Sequence, residues 1–252
     1  MTTVESLARL WSVTLERKLL GSTCSEVWAG DRYGQRVVLK LPRADAEEAK
    51  SLPVLRAFST RGGVSILESD EASGGCLLPL LGNSLDGSEL GEDENTRIFA
   101  RLAYGLRTTP NVAAPSFETY AADAFSSNDA VLREPIRTLS KLLETRTQTT
   151  LTHGDLHHFN ILKGETDYVV IDPKGILTDP ASEVIAYIRN PRMETITPDR
   201  VHKRLTIMAD AWGESYDRLA AWAWAGNIIS LWWDDPGADM KKAEPFLATL
   251  HL

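Results

Sequence analysis

Three polar side chains at a fixed spacing define the chemistry open to this chain. Asp155 lies in Leu151-Thr152-His153-Gly154-Asp155-Leu156-His157-His158-Phe159-Asn160, and Asn160 closes that stretch. Asp172 follows the apolar run Val169-Val170-Ile171 and precedes Pro173. A carboxylate at the first position can take the proton of an attacking hydroxyl. An amide oxygen and a second carboxylate are hard ligands of the kind that hold Mg²⁺ together with nucleotide phosphates. Transfer of a phosphoryl group from ATP needs this set, with Asp155 as proton acceptor and Asn160 and Asp172 on the metal. Each residue alone also reads as a turn former, since Gly-Asp pairs, Asn and Asp-Pro are frequent in turns. Their joint spacing favours the chemical reading and predicts a catalytic loop running into a β-hairpin.

The neighbours of this set divide between chemical and structural readings. His153, His157 and His158 could suggest zinc, but no other histidine lies near a carboxylate cluster in the sequence. His153 reads as a residue that shapes the loop. His157, two places after Asp155, stands where a cation near the transferred phosphate is expected, with loop packing as the alternative for it and for His158. Lys40 ends the apolar run Val37-Val38-Leu39 and is placed to reach the α/β-phosphates. Glu48 is its candidate partner, with Glu47 as the other carboxylate on offer and helix capping as the structural alternative. Gly21 and Ser22 lie in a turn that could cover phosphates with backbone N–H groups, although a single glycine is a weak signal. Pro79 and Leu80 end an apolar strand where a hinge would meet the adenine. Trp212, Trp222, Trp224, Trp232 and Trp233 read mainly as core. Asp234 and Asp235 after them could contact a cationic substrate or form a helix-end turn.

These side chains need a frame. Residues 14–18, 25–30, 36–41, 64–68 and 75–80 read as strands. A helical pattern begins at Asp45, with Glu48 in a capping-box position and a break or second short helix near Ser51 and Pro53. From residue 82 amphipathic helices dominate, at 92–106, 117–125, 129–143, 181–189, 198–212 and 216–233, with a weaker one near the end. Only the Asp155 region and a short strand at 168–171 interrupt them. The expectation is an α+β, two-lobed protein-kinase-like fold. Residues 1–81 would form a small antiparallel sheet with one helical segment, and residues 82–252 a mainly helical lobe carrying the catalytic loop.

Composition narrows the partners. The chain has 252 residues, 43% hydrophobic and 25% charged, with a formal net charge of −8, which suits a globular protein and disfavours nucleic acid. No apolar run approaches the ~20 residues needed to cross a bilayer. The start, Met1-Thr2-Thr3-Val4-Glu5-Ser6, has no basic-then-apolar leader pattern, and two cysteines suit a reducing compartment. A cytoplasmic location is therefore expected.

The stretch Leu151 to Leu162, with Val170-Ile171-Asp172-Pro173-Lys174-Gly175 and Asp179-Pro180, resembles the aminoglycoside phosphotransferases. Within them it is similar to the streptomycin kinase and hydroxyurea phosphotransferase branch, where the double histidine and Asp-Pro-Lys-Gly recur. Softer matches are Leu55-Arg56-Ala57-Phe58, Arg61-Gly62-Gly63-Val64, and Arg204-Leu205 with Met208-Ala209-Asp210-Ala211-Trp212. The resemblance implies ATP with Mg²⁺ and direct phosphorylation of a small-molecule hydroxyl, with Asp155, Asn160, Asp172 and Lys40 in the roles given above. It also implies a cationic, streptomycin-like acceptor. A sugar or amino-alcohol kinase, or a nucleotide-binding relative with little catalysis, is the alternative. The chain departs from the group ahead of Leu55, where Ser51 and Pro53 stand in the place of its helix glutamate.

Overall fold

In the computed structural model, residues 2–20, 24–108, 112–191 and 196–234 are described. The chain divides into two compact units, Met1–Asn83 with Leu162–Lys174, and Ser84–Ile161 with Gly175–Leu252. Residues 162–174, which follow the Asp155 loop, are counted with the first unit.

The first unit opens with helix α1 (Val4–Leu10), capped reciprocally by the Thr3 and Ser6 side chains. Strands β1 (Thr14–Lys18), β2 (Ser25–Arg32) and β3 (Gln35–Pro42) follow, then β4 (Glu68–Asp70) and β5 (Gly75–Pro79). They form an antiparallel sheet in the order β1-β2-β3-β5-β4. The β2–β3 turn places Tyr33 and Gly34 at φ 55° and 82°, the paired positive angles of a two-residue hairpin whose twist matches its strands. Side chains alternate across the sheet. Val37, Leu39 and Leu77 pack against Val4, Leu7, Ala8 and Trp11 of the α1 side. Cys76 and Leu78 pack with Leu52 and Leu55 of α2 (Leu52–Phe58) on the other side. Lys40, opposite Cys76 in register, shares this second face.

Three local expectations change. The sheet carries two α-helices and a 3-10 turn rather than one helical segment. α1 is too short for its periodicity to stand out, although Val4, Leu7 and Ala8 form a buried stripe. The pattern beginning at Asp45 yields only the 3-10 turn Glu47–Lys50, whose N-cap Ala46 makes no side-chain bond. Asp45 pairs with Arg43 and Glu48 accepts from Ser25, so the capping box does not form. The strand expected at 64–68 starts at Glu68, because Val64 instead donates its N–H to the Val170 carbonyl.

The second unit is mostly helical: α3 (Glu92–Leu106), α4 (Phe117–Tyr120), α5 (Ala122–Ser126) and α6 (Arg133–Glu144) lead to strand β6 (Thr150–Thr152). Strands β7 (Ile161–Lys163) and β8 (Tyr168–Val170), the hairpin ahead of Asp172, are counted almost wholly with the first unit, whereas β9 (Ile176–Thr178) pairs with β6 in the second. Helices α7 (Val184–Arg189), α8 (Pro198–Trp212) and α9 (Tyr216–Asp234) complete the described residues. α8 has clear ends in sequence: the Thr197 hydroxyl caps it, Pro198 fits its first turn, and Gly213 takes φ 62° at its close. α9 is apolar on nearly every side, and Trp222 and Ala223 are fully buried. It is the central helix of this core.

Candidate active site

The expected functional side chains are divided between the units: Lys40, Glu48 and Asp172 belong to the first, Asp155, His157 and Asn160 to the second. Lys40 leaves β3 on the α2 face and is 8% exposed. Its Nζ donates to Asp172 Oδ1 at 2.7 Å. Burial pushes the ammonium down, but the charge and hydrogen bond of Asp172, with smaller help from Glu48 and Cys76, carry its pKa above the ordinary value. Cys76 beside it is pushed up to about 11, chiefly by burial. Glu48 acts on Lys40 through space while its own Oε2 accepts from the Ser25 hydroxyl at 2.9 Å. The carboxylate that pairs with Lys40 is therefore Asp172, not Glu48. The side chain of Glu47 lies outside the described residues, as do Gly21 and Ser22.

Asp172 sits just past the hairpin at φ 56°, a left-handed conformation that costs a non-glycine residue free energy and is found at sites where the surroundings enforce it. Here Val169 and Ile171 pack against the α2 cluster, and Gly62 and Val64 bracket Val170 with backbone bonds of 2.8 and 2.9 Å. At the proposed hinge, Pro79 has no N–H, and Leu80 donates its own to the Arg36 carbonyl. Nucleotide contact at these two residues would have to use carbonyl oxygens or side-chain packing.

In the second unit the loop carrying Asp155 leaves β6 through Gly154 at φ 79°, an angle glycine adopts without strain. Alternate side chains then point in and out. Leu156 and His158 are buried, whereas Asp155 and His157 keep 25% and 17% side-chain exposure. His157 Nε2 stands 3.9 Å from Asp155 Oδ1, close enough for a charged imidazole to act on the carboxylate. Asn160 donates Nδ2 to the Asp155 carbonyl at 2.9 Å. That bond commits the amide nitrogen and leaves Oδ1 as the atom that could ligate a cation. The available donors are hard oxygens, and among the described residues no group of three His, Cys, Asp or Glu side chains is gathered as a metal centre. Asn160 Oδ1 in the second unit and the Asp172 carboxylate in the first are each hard oxygens of the kind that suits Mg²⁺.

The loop is held from behind by Glu183 and Tyr187, for which the sequence suggested no role, together with His158 and Arg204. Glu183, fully buried in the turn before α7, accepts the His153 N–H at 2.5 Å and a backbone bond from Gly154. Burial drives its pKa up to about 7, against the pull of those bonds and of Arg107. His158 stacks on Tyr187 with centroids 4.2 Å apart, and Tyr187 stacks on Phe99. Burial, then Arg204, push the His158 pKa down to about 3, so this imidazole is neutral at working pH. Arg204 is wholly buried; it donates to the Tyr187, Ile188 and Asn190 carbonyls and to Glu92. A signal for both charged residues was present: each interrupts an apolar helical face, Glu183 beside Val184 and Arg204 between Val201, Leu205 and Met208.

Asp179 caps the turn at Ala181 and accepts from Arg218 and Trp222, which makes it a core tie. Trp212 and Trp222 are buried as expected. Trp232 and Trp233 donate their indole N–H groups to Asp129 and Asp123. Asp234 is exposed at the end of α9, and Asp235 lies outside the described residues.

The profile of the aminoglycoside/hydroxyurea antibiotic resistance kinases matches residues 10–237. The chain belongs to that family. It is 25% identical over 245 residues to the streptomycin 3''-kinase of Klebsiella pneumoniae, covering 90% of this chain and 91% of the relative. With the hydroxyurea phosphotransferase of Kitasatospora aureofaciens it shares 29% over 235 residues, 87% of this chain and 68% of the relative. Among solved structures, aminoglycoside phosphotransferase APH(4)-Ia, in a ternary complex with ADP and hygromycin B, superposes with a TM-score of 0.65 at 15% identity over all of both chains. This family member is accordingly a phosphotransferase enzyme of small molecules, with the two-lobed, protein-kinase-like α+β fold expected from its sequence. Among the described residues no helix is long and apolar enough to cross a membrane.

Proposed function

We propose that the protein transfers the γ-phosphoryl group of ATP, with Mg²⁺, to a hydroxyl of a cationic, streptomycin-type acceptor. The observation that carries the reading is the catalytic loop. One buried carboxylate and one buried imidazole seat it, and it presents Asp155 while Asn160 keeps an oxygen for a cation. Asp155 accepts the acceptor's hydroxyl proton as the oxygen bonds to the γ-phosphorus and the bond to the ADP oxygen breaks. Gly154 and the Glu183 anchor hold that carboxylate in place, so its orientation need not be bought from substrate binding. Lys40 exchanges Asp172 for nucleotide phosphate oxygens, and Asn160 and Asp172 are the residues that would hold Mg²⁺. When bound, the ion offsets the negative charge of the phosphates. His157 adds positive charge beside Asp155 when protonated.

Support for the acceptor class comes from the streptomycin named for two relatives, and from a net charge of −8, which attracts cations. Neither nucleic acid nor membrane enters the reading. No disulfide joins Cys24 and Cys76, in keeping with a cytoplasmic setting. ADP release with Mg²⁺, screened over aminoglycosides, hydroxyurea, sugars and amino alcohols, tests the proposal. Turnover is expected with a streptomycin-type acceptor and should be lost in Asp155→Ala while ATP binding is kept. An Asp155→Ala enzyme with wild-type turnover would refute the mechanism.

A further inference from the structure

Phe159 is the side chain on the catalytic loop that the chemistry above does not use. It lies between His158, which fills the core, and Asn160, yet it is 44% exposed. Its ring meets His157 edge-on, with centroids 5.8 Å apart and planes at 79°. His157 Nε2 in turn stands 3.9 Å from Asp155 Oδ1. Carboxylate, imidazole and phenyl ring thus form one continuous surface within the second unit. The loop's own packing does not require a phenyl group here. His158 supplies the stack on Tyr187, and the Asn160 bonds run to the His157 and Asp155 carbonyls. A large aromatic left in water gains by being covered. Its face also attracts cations such as guanidinium.

We propose that Phe159 is a specificity-determining residue. Its ring receives the ring or guanidinium group of the acceptor next to the hydroxyl offered to Asp155. The inference rests on the phosphotransferase reading above and adds the acceptor shape: a cyclic, cationic molecule that spans from the carboxylate to the phenyl ring. Hydroxyurea is too small to make both contacts.

The test uses the full chain with ATP and Mg²⁺, and streptomycin and hydroxyurea as the two probes. Phe159→Ala is expected to lower kcat/KM for streptomycin relative to hydroxyurea by roughly threefold to thirtyfold, through KM. Phe159→Tyr should restore the ratio. Phe159→Leu should restore it only in part, because it returns apolar area without the π face. Where hydroxyurea is not turned over, the streptomycin KM is compared with the ATP KM, and only the former should rise. An unchanged ratio in Phe159→Ala, a loss carried wholly by kcat, or no turnover of streptomycin by the wild type overturns the inference. Failure of the underlying reading looks different: Asp155→Ala would then keep turnover. If Asp155→Ala is inactive and Phe159→Ala leaves the ratio unchanged, only the Phe159 assignment falls.

Discussion

Replacing Glu183 with glutamine isolates the anchor of the catalytic loop through its proton. The carboxyl is fully buried and its pKa rises from 4.5 to about 7, with burial the leading cause. In the unfolded chain it ionises near its ordinary value, so between those values the folded state binds more protons. The stability this gives is complete below pH 4.5, falls as pH rises, and is gone above pH 7. A shift of that size corresponds to roughly 3 kcal/mol in all, most of which is lost between pH 5 and pH 8. The amide of the Glu183→Gln protein cannot ionise and carries no such slope. Its NH₂ group faces the His153 and Gly154 donors or lacks an acceptor, which costs about 1–3 kcal/mol at any pH. The Glu183→Gln enzyme should therefore be the less stable protein at pH 5 and should match or overtake the wild type at pH 8. Urea denaturation of both proteins at pH 5, 6, 7 and 8 measures this, because other titrating groups cancel in the difference. A stability difference that stays constant within about 0.5 kcal/mol across that range would refute the reasoning.

Other consequences follow from the same geometry. Lys40→Met should weaken nucleotide binding in fluorescence titration and leave Asp172 without its 2.7 Å partner; an unchanged Kd would remove Lys40 from the nucleotide site. Arg204→Met strips the bonds to three backbone carbonyls, the contact with His158 and the Glu92 ion pair from a wholly buried position. It should cost about 3–5 kcal/mol in denaturation, and a cost under about 1 kcal/mol would show that the region repacks. Asp234→Asn combined with Asp235→Asn should raise KM for a cationic acceptor and leave KM for ATP in place. No change would return both residues to a helix-end role.

How much was legible in the sequence depended on how local each feature is. Helices α3 and α8 and strand β1 run over the residues expected of them, because periodicity, a capping threonine and a closing glycine are written within one or two turns of chain. The turn between β6 and Asp155 was equally local, since Gly154 takes φ 79° there without strain. The expected Asp45–Glu48 capping box failed for the opposite reason: Ser25, far away in sequence, offers Glu48 a partner that the local pattern cannot show.

The sequence by itself determined the family, its phosphotransferase class and the α+β fold in which strands give way to helices. Tertiary structure decided which groups pair and which protonation states they hold. It directed Lys40 to Asp172 rather than to Glu48, and it turned one of the two adjacent histidines into a neutral core residue. It also brought the Glu183 carboxylate to the His153 N–H, two residues ahead of Asp155. Spacing along a chain can show what chemistry is present. Burial and long-range contacts set the charges, because the cost of an ion depends on what has replaced water around it.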